Sequence, residues 1–225
     1  MRRARATQQS HLMSISMLYS IHPLPGRIFE AIASSAEARS LLAPHASVCN
    51  QWRSEVAGAN TGALHTVLTW DKPSDMAAGQ EAIIAAPDFL PYMTKAFGPD
   101  RFSVEAVPSA MMGFGVPGFA DAHVGPNTSG VPRVAGIITF HFSDELLHLL
   151  QGSHARADRY GYGWACRLWS TGTGSGPIVA VYNVYESRAA WGASQDRQMA
   201  EMGSDQIMRL VRPHVISRSQ LIEVL

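Results

Sequence analysis

The sequence predicts an α+β protein made of two tandem β-α-β-β-α-β modules whose antiparallel sheets pack as a barrel. The order of strand and helix patterns in residues 14–112 recurs in residues 134–225, and such a repeat constrains the fold strongly. A glycine-rich turn connects two strand-like runs at the matching place in each half, at Gly62 and at Gly176. Between the halves, residues 113–133 are rich in Gly and Pro and lack periodicity, which is typical of a linker.

Several patterned segments make up the first half. In chain order they are a strand at 15–22, a helix at 26–42, strands at 46–57 and 63–71, helical segments across 73–97 and a strand at 102–112. The first helix is predicted because Ile28, Ile32 and Ala36 recur at a spacing of four residues. Pro73 followed by Ser74 opens the second helical region, since proline is favoured in the first turn of a helix.

The second half repeats this order. Its segments are a strand at 134–143, a helix that begins at Asp144, strands at 162–171 and 177–186, helical segments across 187–211 and a strand at 214–225. Asp144 is predicted to cap its helix, because a carboxylate can accept hydrogen bonds from the first free backbone N–H groups.

Each half therefore has the element order of a ferredoxin-like module. The predicted organisation is a flexible tail at 1–13, module 1 at 14–112, a linker at 113–133 and module 2 at 134–225. A four-stranded sheet with helices on one face leaves its other face bare, and two such sheets packed face to face close a barrel. The second module can supply the partner sheet within the chain, and a homodimer is the alternative.

Composition excludes several classes of protein. Hydrophobic residues make up 46% and charged residues 16%, so the chain can build a core and global disorder is not expected. Lys+Arg and Asp+Glu both number 18, without the basic surplus of a nucleic-acid binder. Cys49 and Cys166 lack the spacing of a redox or zinc motif, which favours a reducing cytoplasm. No apolar run approaches ~18 residues and none follows the N-terminal arginines, so neither a membrane span nor a secretory signal is expected.

One hairpin carries a resemblance to known proteins. The run from Trp52 to Gly62, followed by a β-run and Trp70-Asp71, resembles the hairpin of NIPSNAP-like and antibiotic-biosynthesis-monooxygenase-like proteins, and residues 184–191 repeat it more weakly. The resemblance covers most of residues 14–225. It implies the dimeric α/β-barrel fold and a small-molecule cavity between the sheets. Members of that superfamily include cofactor-free oxygenases, haem proteins and proteins without known chemistry, so the fold does not choose a reaction.

Two cofactor motifs are present only in part, and a haem ligand is missing where related proteins carry one. Gly113-x-Gly115-x-x-Gly118 matches a dinucleotide fingerprint, but Pro117 and the irregular stretch after it provide no helix N-terminus for a pyrophosphate. Glu145-x-x-His148 has the spacing of half a di-iron site, and no second copy exists. The second helical regions of both halves contain no histidine to ligate haem. We therefore expect no bound cofactor.

Strand alternation nominates the residues of the cavity. One face of each central strand is more polar than the other, and we expect the polar face to line the cavity and the apolar face to meet the helices. The predicted cavity residues are His22, His65, Thr69, His141, Asn183 and Tyr185. The opposite faces carry Leu64, Leu68, Tyr182 and Val184. Trp52 is a candidate wall of the cavity, and Arg53 either binds an anionic substrate group or pairs with Glu55 on the same face.

The function predicted first is a small-molecule enzyme, a cofactor-independent monooxygenase that acts inside the barrel on an aromatic or polycyclic substrate in specialised metabolism. His65, His22 or His141 removes a proton from a phenol or enol, and the anion reacts with oxygen. One alternative is a non-catalytic, NIPSNAP-like small-molecule-binding protein. The other is a metal or haem protein, since His22, His65 and His141 together provide the ligands of a transition-metal site.

Overall fold

The architecture was determined as a computed structural model, and it describes residues 14–104, 109–116, 127–151, 153–170, 177–201 and 214–225. These residues form eight strands and six α-helices. In chain order they are β1 (Ile15–Ile21), α1 (Ile28–Leu42), β2 (Val48–Val56), β3 (Leu64–Trp70), α2 (Pro73–Ala85), α3 (Phe89–Phe97), β4 (Ser109–Gly115), β5 (Val134–His141), α4 (Asp144–Leu150), α5 (Ser153–Tyr160), β6 (Gly163–Ser170), β7 (Ile178–Tyr185), α6 (Arg188–Ala200) and β8 (Val215–Glu223).

The eight strands close into one barrel in the order β1-β3-β2-β8-β5-β7-β6-β4, and every neighbouring pair is antiparallel. Within the first half the order is β4-β1-β3-β2, and within the second half it is β8-β5-β7-β6. Both are the ferredoxin-like order, and the halves join at the β2–β8 and β4–β6 pairs. The predicted fold class is confirmed, and the barrel closes within one chain.

The helices pack on the outer surface of the barrel, where the apolar faces of the strands meet them. Leu68 and Trp70, on the outer face of β3, form a buried cluster with Ile83 of α2. In the second half, Phe140 of β5 packs with Leu146 and Leu150 of α4. Burial of these side chains against the helices fixes which face of each strand points inward.

Serine side chains begin two of the helices. Ser143 Oγ accepts from the backbone N–H of Leu146 at 3.1 Å, and Ser187 Oγ accepts from that of Ala190 at 3.1 Å. The prediction that Asp144 caps α4 is wrong by one residue, because Ser143 holds the capping position and Asp144 is the first helical residue. An acidic residue there still complements the helix dipole.

The boundary between the halves differs from the prediction. The fourth strand runs over Ser109–Gly115 and not over 102–112, while Ser103 forms only an isolated bridge with Pro23. Gly113 and Gly115 therefore belong to a strand, and the dinucleotide motif they suggest has no loop to form. Pro117 and Gly118 of that motif, the predicted tail at 1–13, residues 117–126 of the predicted linker and residues 202–213 lie outside the described residues. Within the described part of the chain, no helix has the length and hydropathy to cross a bilayer.

Candidate functional site

A cavity of about 220 Å³ occupies the interior of the barrel. Inward-facing side chains of all eight strands line it, and most of them are apolar. The apolar lining includes Leu18, Trp52, Val67, Met111, Ile137, Ala165, Trp169, Ala180, Val184 and Leu221. A minority of polar groups, His65, Thr69 and Arg167 among them, face the same space. Few polar groups in an apolar enclosure are what a small-molecule site requires.

His65 is held by hydrogen bonds at both ring nitrogens. Ser20 Oγ lies 2.7 Å from Nδ1, and Ser54 Oγ lies 2.8 Å from Nε2. Burial, together with a smaller effect of the nearby His22, lowers the pKa of His65 to about 4. The imidazole is therefore neutral at pH 7. One ring nitrogen donates to a serine hydroxyl, and the other accepts from the second serine.

The pairing of β1 with β3 creates this arrangement. Ser20 lies opposite His65 and Ser16 lies opposite Thr69. Because side chains alternate along each strand, these four residues all point inward. Ser16 Oγ and Thr69 Oγ1 are 2.7 Å apart and are both buried. The β1–β3 seam thus presents paired hydroxyl and imidazole groups on an otherwise apolar wall.

Arg167, on the inner face of β6, places a guanidinium group in the wall of the cavity. The residue is buried, and Nη2 donates to Ser14 Oγ at 3.1 Å. Arginine remains protonated in proteins. A buried cation beside apolar space favours an anionic ligand, because the low dielectric strengthens the attraction.

Tyr182 and Trp169 form a second polar pair on the wall. Trp169 Nε1 donates to the Tyr182 hydroxyl at 2.8 Å. Burial raises the pKa of Tyr182, so the phenol keeps its proton at neutral pH. The indole lies across Gly113, where a Cβ would come within 2.6 Å of the ring. Gly113 therefore makes space for Trp169.

Comparison with solved structures identifies the fold. A candidate monooxygenase from Fusobacterium nucleatum matches with a TM-score of 0.63 at 7% identity, over 96% of this chain and 94% of that one. An anthrone oxidase-like protein matches at 0.57 and 16% identity, over 96% and 93%. A candidate monooxygenase from Lactobacillus acidophilus matches at 0.54 and 11% identity, over 94% and 93%. These structures share the fold of this chain, a closed eight-stranded antiparallel barrel with helices outside it, which is the fold that the resemblance implied. At such identities the likeness establishes the fold alone. No family model and no curated protein matches the chain.

Three of the predicted site residues line the interior of this barrel. His65, Thr69 and Trp52 all face the cavity. Their functional roles stay predictions.

The other two predicted histidines lie at strand ends. His22 follows β1, and its Nε2 is 3.2 Å from Asn60 Oδ1 on the turn between β2 and β3. His141 is exposed at the end of β5. Among the residues that the structure describes, no three His, Cys, Asp or Glu side chains come close enough to hold a metal ion. The alternative of a centre built from His22, His65 and His141 is therefore wrong.

The facing predicted for β7 is wrong. Tyr182 and Val184 line the cavity, so Asn183 and Tyr185 lie on the outer face. Tyr185 is buried there, with its ring centroid 5.3 Å from that of Tyr162. Setting Gly62 against Gly176 placed the two halves one residue out of register, and a shift of one residue exchanges the faces of a strand.

The remaining predicted binding residue also faces outward. Arg53 Nη2 pairs with Glu55 at 3.1 Å, and Glu55 also pairs with Arg188 of α6. The charge pair considered for Arg53 is the arrangement observed. The outward facing predicted for Leu64 and Leu68 is confirmed, since both pack in clusters on the helix side of β3.

Proposed function

We propose that the chain is a cofactor-independent monooxygenase that oxidises an aromatic or polycyclic substrate of specialised metabolism inside the barrel. The observation that carries the proposal is the buried guanidinium of Arg167 in the wall of an apolar cavity. A phenol or enol placed there ionises more readily, because its anion gains the attraction of the fixed cation. The names of similarly folded structures, monooxygenase and anthrone oxidase-like, support the same class of reaction.

His65 and the two serines that contact it, Ser20 and Ser54, provide the route for the substrate proton. Ser54 and His65 both line the cavity, and Ser54 Oγ lies 2.8 Å from His65 Nε2. The substrate proton passes to Ser54 Oγ as that hydroxyl gives its own proton to His65 Nε2, while Nδ1–H donates to Ser20 Oγ. The low pKa of His65 in the empty cavity opposes this transfer. The substrate anion raises that pKa again, because a nearby negative charge favours the protonated imidazole.

The reaction balances without an external reductant. The substrate anion forms a C–O bond with O₂, giving a hydroperoxide at a ring carbon. Loss of water breaks the O–O bond and the second C–H bond and leaves a carbonyl. A ring methylene and O₂ thus give a ketone and water, and all four electrons come from the methylene carbon. Tyr182 can donate a proton to the departing oxygen, because burial keeps its hydroxyl protonated.

The size of the cavity limits the substrate. At about 220 Å³ it is smaller than most small-molecule sites, which measure ~300–1,000 Å³, so we expect a flat substrate of roughly two or three fused rings. Anthrone has this size and an acidic methylene, and it is a suitable probe.

Oxygen uptake with anthrone tests the proposal. We expect the wild type to consume one O₂ per anthrone above the uncatalysed rate, with no effect of EDTA. Arg167→Met should lower the rate of oxygen uptake about 100-fold, as loss of an oxyanion partner does. Arg167→Lys keeps the positive charge and should retain more of the activity. Arg53→Met, which removes an outward-facing arginine, is the matched control and should behave as wild type.

Each other outcome overturns part of the proposal. Binding of anthrone without oxygen uptake favours the non-catalytic binding protein. Uptake that EDTA abolishes favours a metal enzyme. Full activity in a folded Arg167→Met variant removes the role assigned to the guanidinium.

A further inference from the structure

A second cavity lies outside the barrel, between strands β1, β2 and β3 and helices α1, α2 and α3. Its volume is about 390 Å³, within the ~300–1,000 Å³ of small-molecule sites. The sheet contributes Ile21, Leu64 and Leu68 to its wall, and the helices contribute Leu42, Ile83 and Phe89. No charged side chain among the described residues lines it, which points to a neutral, apolar occupant.

Gln51 introduces one polar atom into this wall. The residue lies on the outer face of β2 and is 3% exposed. Its Oε1 is buried and has no hydrogen-bond partner among the described residues. A buried carbonyl oxygen without a donor destabilises the fold. A ligand hydroxyl or N–H in the cavity would satisfy it.

The other polar groups of the wall are neutral and mostly satisfied. The Tyr19 hydroxyl accepts from Gln80 Nε2 at 3.5 Å, and Ser35 Oγ donates to the Ala31 carbonyl at 3.3 Å. Burial raises the pKa of Tyr92 to about 12, so its phenol remains uncharged. Thr66 also lines the wall, and among the polar residues of this lining Gln51 is the one with a fully buried side-chain atom that has no partner in the described part of the chain.

The second half of the repeat fills the corresponding space with aromatic side chains. Tyr160, Tyr162, Trp164 and Tyr185 are buried together between β6, β7 and the helices that cover them, with Trp191 of α6 packed against them. Aromatic side chains thus occupy in the second half the place that the cavity takes in the first. Ile84 of α2 lines the open cavity and is 66% exposed, which marks a route from solvent.

We propose that the cavity between β1–β3 and α1–α3 binds a neutral, largely apolar small molecule whose single hydroxyl or N–H donates to Gln51 Oε1. This site is separate from the barrel interior, and it does not depend on the proposed oxygenase reaction.

Two ligands of equal size test the hydrogen bond. 2-Naphthalenemethanol carries a hydroxyl where 2-ethylnaphthalene carries a methyl group, and both are neutral. Calorimetric titration of the wild type should give about tenfold tighter binding of the alcohol, the value of one buried hydrogen bond. Gln51→Leu should lose or reverse this preference, because the hydroxyl is then buried without an acceptor. It should melt at the same or a higher temperature, because it removes the unsatisfied oxygen.

Three control variants locate the ligand. Gln220→Leu makes the same change on the outer face of β8 and should keep the tenfold preference. Ala38→Leu fills the cavity and should weaken both ligands. Arg167→Met alters the barrel interior and should leave the preference intact. Equal affinities of the two ligands for the wild type, or a preference for the alcohol that Gln51→Leu retains, would overturn the proposal. The proposed oxygenase reaction is tested separately, by oxygen uptake with anthrone.

Discussion

His65 shows how burial decides the protonation of a single residue and, through it, the pH dependence of stability. Its pKa is about 4 in the folded chain, against an ordinary histidine value of 6.5, so the unfolded chain binds the extra proton first. Stability from this group is complete above pH 6.5, falls as the pH drops towards 4 and is lost below that. At pH 5 the loss is about 2 kcal/mol. Urea unfolding should show this loss in the wild type and not in His65→Asn, and parallel pH profiles would contradict it.

Arg167 is a residue that sequence patterns pass over. In the strand GWACRLWS a lone arginine among apolar residues is expected to point to solvent, since arginine is rarely buried. The alternation of side chains along the strand indicates where Arg167 points. Ala165 and Trp169 share its face, and both line the barrel. The apolar residues of the opposite face, Trp164 and Cys166, pack against helices. Both faces of this strand are buried, and polarity alone does not tell them apart.

At the scale of elements, a helix docks closely on the sheet where a side chain is missing. A Cβ at Gly79 of α2 would lie 2.3 Å from the His45 carbonyl oxygen and 2.6 Å from Trp70 Nε1, which itself donates to that oxygen at 2.6 Å. Gly79→Ala should therefore destabilise the fold in spite of the better helix propensity of alanine. In α6, a Cβ at Gly192 meets nothing within 4 Å, and Gly192→Ala should stabilise by about 1 kcal/mol. Thermal melts should show a lower melting temperature for Gly79→Ala and a higher one for Gly192→Ala. A higher melting temperature for both variants would contradict the close packing described at Gly79.

Element order was predictable from the sequence because strand-like runs, helical segments and turn residues follow one another in the same order in both halves. Register between the halves was not. The turn predicted at Gly172–Gly176 lies outside the described residues, and the alignment of its glycines with Gly62 placed β7 one residue out of register. The facing of β3 was predicted correctly because apolar Leu64 and Leu68 alternate with polar His65 and Thr69. In β7 both faces carry apolar side chains, and polar Asn183 lies on the outer one.

At the scale of the molecule, closure of the barrel brings together segments from both ends of the second half. Arg133 Nη2 pairs with Glu223 Oε1 at 2.6 Å, and both residues are buried. Arg133 also lies over the ring of Trp52, with Cζ 5.8 Å from the centroid, and Nη2 donates to Asn50 at 3.4 Å. The pair thus joins the start of β5, the end of β8 and strand β2, where the two halves meet.

Breaking this pair should cost more than removing it. Arg133→Met leaves the Glu223 carboxylate buried without its cation, and should lower the free energy of unfolding by about 3–5 kcal/mol. The double variant Arg133→Met/Glu223→Met removes both charges from the low-dielectric seam. It should recover most of the loss, because the desolvation cost of each ion disappears with it. Urea unfolding of the wild type, the two single variants and the double variant gives the coupling energy. Additive losses across that cycle would mean that the ions do not act as a pair in closing the barrel.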